Sequence, residues 1–209
     1  MEKLIDDVYQ EVYNLFRKDE GIKKYQYTRR DWIFPNHFEI IIDLVKDMCN
    51  KYGGDKDICI LGALFHDTGL VYGREQASSL GHEEKSVEYT KLVLNKFNVD
   101  KKIIEKVVEC VKASEPDYDT ELIEGKIVKT ADALSQYTSI HFIAKAHFAE
   151  DWDSFIPWLK KKVSKNYKKI CFEEEMKKAL VIRDYYLDII EKYEKYNTKF
   201  PKANLIKDE

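Results

Sequence analysis

His66 and Asp67 stand side by side at the end of an apolar run, Ile58-Cys59-Ile60-Leu61-Gly62-Ala63-Leu64-Phe65, with Thr68-Gly69 behind them. Burying an imidazole or a carboxylate alone is costly, and a bound divalent cation removes the difficulty. A lone His-Asp pair has a plainer reading, a histidine at a helix C-terminus and an aspartate capping the next turn. Its company tips the balance. His37 lies 29 residues earlier, in Asn36-His37-Phe38, and Asp132 lies 65 residues later, among Ile127, Val128, Ala131, Ala133 and Leu134. A carboxylate on or beside that apolar face needs a partner. Two imidazoles and two carboxylates form a mixed nitrogen and oxygen donor set suited to Mn, Fe, Co, Ni, Zn or Mg, with room for water in an octahedral shell. Such an open site acidifies a water and neutralises a phosphoryl oxygen.

The order His37, then His66-Asp67, then Asp132 resembles the H…HD…D signature of the HD-domain superfamily of metal-dependent phosphohydrolases, over roughly residues 25–150. Leu61-Gly62-Ala63-Leu64-Phe65-His66-Asp67-Thr68-Gly69 is similar to the family's apolar helix ending in HD and a small residue. Gly81-His82-Glu83-Glu84-Lys85-Ser86 resembles the opening of its next helix, and Lys126-Ile127-Val128-Lys129-Thr130-Ala131-Asp132 its final ligand helix. The resemblance implies an all-α HD-domain helical bundle with the metal at its centre, held by His37, His66, Asp67 and Asp132. It also implies hydrolysis of a small phosphorylated metabolite, a nucleotide among the candidates, by water activated on the ion, with Asp67 orienting that water.

Three departures narrow the expectation. Ser114 stands where two-metal members carry an extra histidine, so one divalent metal ion is expected, its identity open. Leu70 stands where some nucleotidase-like members carry a general acid, so the proton donor comes from elsewhere or is water. Ala133 follows the last aspartate where many relatives have a basic residue, which weakens detailed inference about substrate. The last two leave an alternative open, a non-catalytic metal- or nucleotide-binding module. A paired-iron oxygenase is a weaker third reading, against which Ser114 argues.

His82 opens a helix 15 residues after Asp67 and is a candidate acid, base or phosphate contact, with Glu83 behind it. Arg29, Arg30 and Lys129 are candidates for binding a phosphate, since charge stabilisation is what phosphoryl chemistry asks of a protein; Arg74 is equally arguable. Against each stands an ordinary surface role, because the chain has 35 Lys and Arg residues. His141 and His147, six residues apart, do not share a helical face and read as structural or exposed. The basic segment Lys160, Lys161, Lys162, Lys165, Lys168 and Lys169, with Trp158 before it, invites a nucleic-acid reading. Glu173-Glu174-Glu175 follows at once, so a solvated helix face is preferred.

The elements that must hold these residues are helical. Leu4, Val8, Val12 and Leu15 mark one apolar stripe on a first helix, expected to end near Gly21. A second begins after Pro35, carries His37 in its first turn, and stops at Gly53-Gly54. Asp55 or Asp57 caps a helix through Phe65, and the Gly-rich stretch 70–81 reads as loop. Further helices are expected over 82–97, 100–113, 121–147 with an interruption near Gly125, from Asp151 or Asp153 onward, and over about 172–196. A chain of 209 residues with 44% hydrophobic and 35% charged residues, 8 Gly and 4 Pro is expected to form one domain, 1–209, with an HD core over 25–150. Residues 151–209 are expected as additional C-terminal helices on the same core, or as a self-association surface that would make the protein a homo-oligomer. A net charge of -3 offers no field to attract a polyanion, so nucleic acid is not the expected partner. Four scattered cysteines read as reduced core thiols. No run approaches the ~20 apolar residues that cross a bilayer, so no membrane partner and a cytoplasmic location are expected.

Overall fold

A computed structural model describes residues 1–16, 30–72, 81–149 and 151–197; of Arg30 and Tyr72 it describes the backbone alone. The fold is all-α, and no strand occurs among the described residues. The helices are α1 (Glu2–Leu15), α2 (Arg30–Ile33), α3 (Glu39–Tyr52), α4 (Lys56–Phe65), α5 (Gly69–Tyr72) and α6 (His82–Lys96). They are followed by α7 (Lys101–Ala113), α8 (Ile123–Thr138), α9 (His141–His147), α10 (Trp152–Lys168) and α11 (Glu173–Asn197). No described helix is long and apolar enough to cross a membrane.

The centre is α4, buried along its whole length from Ile58 to Phe65 and packed against α1, α3, α7 and α8. A short helix buried on every side has no amphipathic pattern to show, which is why its sequence reads as one continuous apolar run. Asp55 caps it, accepting from the Asp57 and Ile58 amides at 3.0 and 3.3 Å. Gly62 lets α7 approach, since a Cβ there would stand 2.6 Å from Cys110 Cβ.

The observed boundaries differ from the expected ones where proline and glycine were taken at face value. The second helix does not start after Pro35. Residues 30–52 are one continuous helical run in which Phe34–Phe38 form a wide π turn. Pro35 has no amide to donate, and a wide turn accommodates the break in the ladder. The interruption expected near Gly125 falls instead at Ser139-Ile140, between α8 and α9. Gly125 lies inside α8, where Thr120 leaves no room for a side chain: a Cβ there would stand 2.9 Å from Thr120 Cγ2. Gly69–Tyr72 form a helical turn in the expected loop, and Asp151 rather than Asp153 caps α10 by accepting from the Ser154 amide at 2.7 Å. The end expected near Gly21 lies outside the described residues. Cys49, Cys59 and Cys110 are buried free thiols, whereas Cys171 is exposed.

Candidate metal centre

Three elements deliver the donors. The π turn between α2 and α3 carries His37, the C-terminal end of α4 carries His66 followed by Asp67, and the middle of α8 carries Asp132. π turns reposition one side chain relative to a regular helix and occur often at functional sites. Donor atoms of His37, His66 and Asp132 lie within 4.8 Å of one another, and all three residues are buried. The two Nε2 atoms are 3.2 Å apart, and Asp67 Oδ2 stands 3.4 Å from each. Asp132 Oδ1 completes the group at 3.6 and 3.7 Å from the two rings.

The hydrogen bonds around the rings fix which nitrogens are free. His66 Nδ1 is 2.7 Å from the Ala63 carbonyl, which can only accept, so Nδ1 carries a hydrogen. Ser135 Oγ donates to the Asp132 carbonyl at 2.7 Å and therefore accepts from His37 Nδ1 at 3.0 Å. In the neutral rings both Nε2 atoms then present lone pairs, aimed at one another and at two carboxylates. Four electron-rich atoms converging in a buried space require a cation between them. Burial alone would push the His66 imidazole down, but the charges of Asp67 and then Asp132 outweigh it and lift it to about 9. Without a metal a proton takes the cation's place. The same imidazoles hold Asp67 well below the usual carboxylate range against the upward push of burial. Asp132 is held low by Lys169 and then His66, again against burial. The donor set fits a divalent transition metal or magnesium, and His37, His66 and Asp132 could hold such an ion.

A second ring of contacts steadies Asp132. Lys169, buried at the end of α10, pairs with Oδ2, and Gln136 Nε2 donates to Oδ1 at 3.2 Å. Asn166 in turn donates to Gln136 Oε1 at 2.9 Å. Ligand-orienting contacts of this kind tune a metal site. Gly69, the small residue after the HD pair, has a specific reason. A Cβ there would lie 1.7 Å from the His82 carbonyl oxygen, and the Gly69 amide donates to Ser86 Oγ at 2.8 Å. That approach brings the start of α6, with His82, to the donors.

Two lobes open beside the donors. The larger, about 290 Å³, is walled by Trp32, Ile33, Leu70, His141 and Trp158, with His37 and Asp67 at its floor. The smaller, about 90 Å³, is walled by Ser114, Lys162, Lys165 and Lys169 together with Asp67 and Asp132. Asp67, His82, Gln136 and Lys162 belong to both.

The other expected site residues fare unevenly. His82 is placed at the junction of the lobes, its Nδ1 3.0 Å from the Glu83 carboxylate. Lys129 is not at the site. It is buried, and its ammonium donates to the Pro116 and Tyr118 carbonyls at 3.0 and 2.7 Å, tying the α7–α8 connection to α8. Lys129 stands one turn before Asp132, but these two carbonyls of the α7–α8 connection hold its ammonium away from the donors. Arg30 lies on α2 with its backbone alone described, and Arg29 and Arg74 lie outside the described residues. His147 is exposed as expected, but His141 lines the larger lobe with its ring 6.1 Å from His37. The lysines of α10 are the second correction. Lys160 does face solvent and pairs with Glu194, yet Lys162 and Lys169 turn inward, and together with the exposed Lys165 they line the smaller lobe. Their i, i+3, i+7 spacing was the available signal, and it is shared with any solvated face.

Residues 36–137 match the family profile described as HD domain. This stretch is a domain of the HD superfamily. Its members are largely metal-dependent phosphohydrolases. The HD match spans all four donors and ends before α9, so the π turn, α4 and α8 are HD elements while α10 and α11 lie outside it. No curated protein and no solved structure matches the chain.

Proposed function

We propose that the protein is a metal-dependent phosphohydrolase acting on a small phosphorylated metabolite, with nucleotides as the first class to try. The observation that carries this reading is the convergence of two imidazole Nε2 atoms and two carboxylates, an arrangement that calls for a cation. His37, His66, Asp67 and Asp132 would hold one divalent ion; when bound, it supplies Lewis-acid charge and lowers the pKa of water. Ser114, at the position of a second-metal histidine, donates its hydroxyl to the Val111 carbonyl at 2.7 Å, in keeping with a single ion.

Asp67, reaching both lobes, positions a water in line with a phosphorus atom. Water oxygen adds to phosphorus and one of its two protons is released to solvent, from which His82 is later reprotonated; the bond from phosphorus to the ester oxygen breaks, and alcohol and inorganic phosphate leave. The departing alkoxide takes a proton, for which His82 is the side chain at hand; its Nδ1 faces Glu83, which leaves Nε2 for the transfer. Leu70 forms part of the apolar wall where an acid would otherwise stand. That residue favours a second reading, a module that binds a nucleotide without turnover.

The test is metal content by elemental analysis, followed by a phosphate-release screen with the metal found. About one ion per chain is expected, with Asp67→Ala losing both the ion and turnover while its helical circular dichroism is unchanged. A fully active Asp67→Ala variant, or a chain that takes up no ion even from manganese, overturns the proposal. Saturable nucleotide binding with no phosphate released supports the second reading.

A further inference from the structure

Helix α10 lies outside the HD match, yet one face of it runs along the whole site. Trp158, Lys162, Lys165 and Lys169 follow one another at four, three and four residues, a single stripe. Trp158 and Lys162 wall the larger lobe; Lys162, Lys165 and Lys169 wall the smaller one. The stripe therefore turns from aromatic to cationic as it passes from one lobe to the next.

The ammonium groups of the smaller lobe are unequally paired. Each carboxylate there already faces a base: Asp132 meets Lys169, Glu83 meets His82, and Asp67 meets His37 and His66. Among the described residues, no hydrogen bond or ion pair takes up the ammonium of Lys162 or of Lys165. Lys165 is exposed and stays hydrated, but Lys162 is mostly buried, and burial pushes its ammonium down against the pull of Asp132. A mostly buried cation without a counter-ion is costly, and an anion in the lobe relieves that cost. The lobe, about 90 Å³, has room for about three waters or one tetrahedral oxyanion. The larger lobe, with its indole and aliphatic walls, suits a ring.

We infer that Lys162 and Lys165 form a phosphoryl-binding subsite particular to this chain, and that the lobe between Trp32 and Trp158 receives the ring of the esterified alcohol. The substrate class is then a phosphomonoester of a compact, ring-bearing alcohol. The assignment rests on the hydrolase reading for its chemistry, but its test does not depend on turnover.

Inorganic phosphate is titrated calorimetrically into the manganese-loaded protein. Lys162→Met and Lys165→Met each weaken binding by about tenfold or more, whereas Lys160→Met, on the solvent face beside Glu194, leaves it unchanged and Lys165→Arg retains it. Lys165 is exposed, so its variant keeps the fold even if that of Lys162 does not; melting curves check both. Benzyl phosphate binds more tightly than inorganic phosphate, and Trp32→Ala removes the difference. Phosphate affinity indifferent to both lysines, or absent from the wild type, overturns the subsite. Lysine-dependent phosphate binding with no ester hydrolysed leaves the subsite standing and removes the hydrolase reading. Ester hydrolysis with lysine-independent binding does the reverse.

Discussion

Helix α8 buries thirteen of its sixteen residues, and α11 buries three of its twenty-five. The buried residues of α8 include Glu124, Lys129, Thr130, Asp132, Ser135 and Gln136, and each meets a partner. Glu124 accepts from the Asp55 amide, Thr130 from the Cys171 amide, and Asp132 from Gln136 and Lys169. On α11 the charges pair along the surface, Lys177 with Glu173, Lys178 with Glu174 and Lys192 with Asp188. Exposed pairs of that kind contribute little, whereas a buried pair broken on one side is strongly unfavourable. Both helices carry charge, for opposite reasons. On α8 charge is structural and chemical; on α11 it keeps a surface wet. Helix α10 lies between them in character, solvated at Lys160 and buried at Lys169.

The largest effect expected from this contrast follows from Asp132→Ala. It removes a proposed metal ligand and also leaves the Lys169 ammonium buried without its partner. A loss of about 3–5 kcal/mol of stability is expected, in addition to loss of the ion. Asp188→Ala, the matching change on α11, stays within about 0.5 kcal/mol. Urea unfolding of both variants decides the matter, and equal shifts would break the contrast. Adding Lys169→Met to Asp132→Ala restores part of the stability but not the ion, which separates the structural role of the pair from its chemical one.

What could be read from the sequence follows the same division. The cluster of candidate donors was legible because His37, His66-Asp67 and Asp132 are polar residues in apolar surroundings, where a polar side chain needs a reason. Helix α4 could be recognised from its helical neighbours and from Ala63-Leu64, although so short an apolar run also suits a buried strand; its cap was narrowed to Asp55 or Asp57, and Asp55 is the one that caps. The wide turn at Phe34–Phe38 was hidden because Pro35 signals a helix start and nothing local announces a π turn. Lys129 misled because it sits beside Asp132 in sequence, while its own partners, Pro116 and Tyr118, arrive from the preceding loop. That Lys162, Lys165 and Lys169 line a lobe of the site depends on where α10 docks, and docking is a tertiary fact that a lysine-rich face does not encode. His141 was set aside for sharing no helical face with His147, but it needed no helical partner, since its neighbour is His37 from another element.

A change with no charge in it sharpens the contrast further. Gly62→Ala adds a Cβ 2.6 Å from Cys110 Cβ and 3.3 Å from Val128 Cγ2, at the crossing of α4 with α7 and α8. Neither neighbour is the free end of a flexible chain, so the helices must part. A cost of about 1–3 kcal/mol is expected, although alanine is the better helix former. On α11 the exposed Lys195 changed to alanine should alter stability by no more than about 0.5 kcal/mol. Chemical denaturation of the two variants measures this, and a stabilised Gly62→Ala would mean that the core yields more readily than its close contacts imply.

The smallest effect concerns His141, which belongs to neither helix but closes the larger lobe. Burial, then the neighbouring His37 and Lys162, push its imidazole down to about 3, and its Nδ1 is buried without a hydrogen-bond partner. The folded protein therefore holds this ring neutral, while the unfolded chain takes up a proton near the ordinary value of 6.5. The unfolded state binds more protons, so this contribution is complete above pH 6.5 and is lost as the pH falls towards 3. Its slope is at most about 1.4 kcal/mol per pH unit. In metal-free protein, urea unfolding between pH 7.5 and about 5.5 should show His141→Phe losing less stability on acidification than the wild type. Parallel curves would place the acid sensitivity in the four donors alone and would return His141 to the role of an ordinary wall.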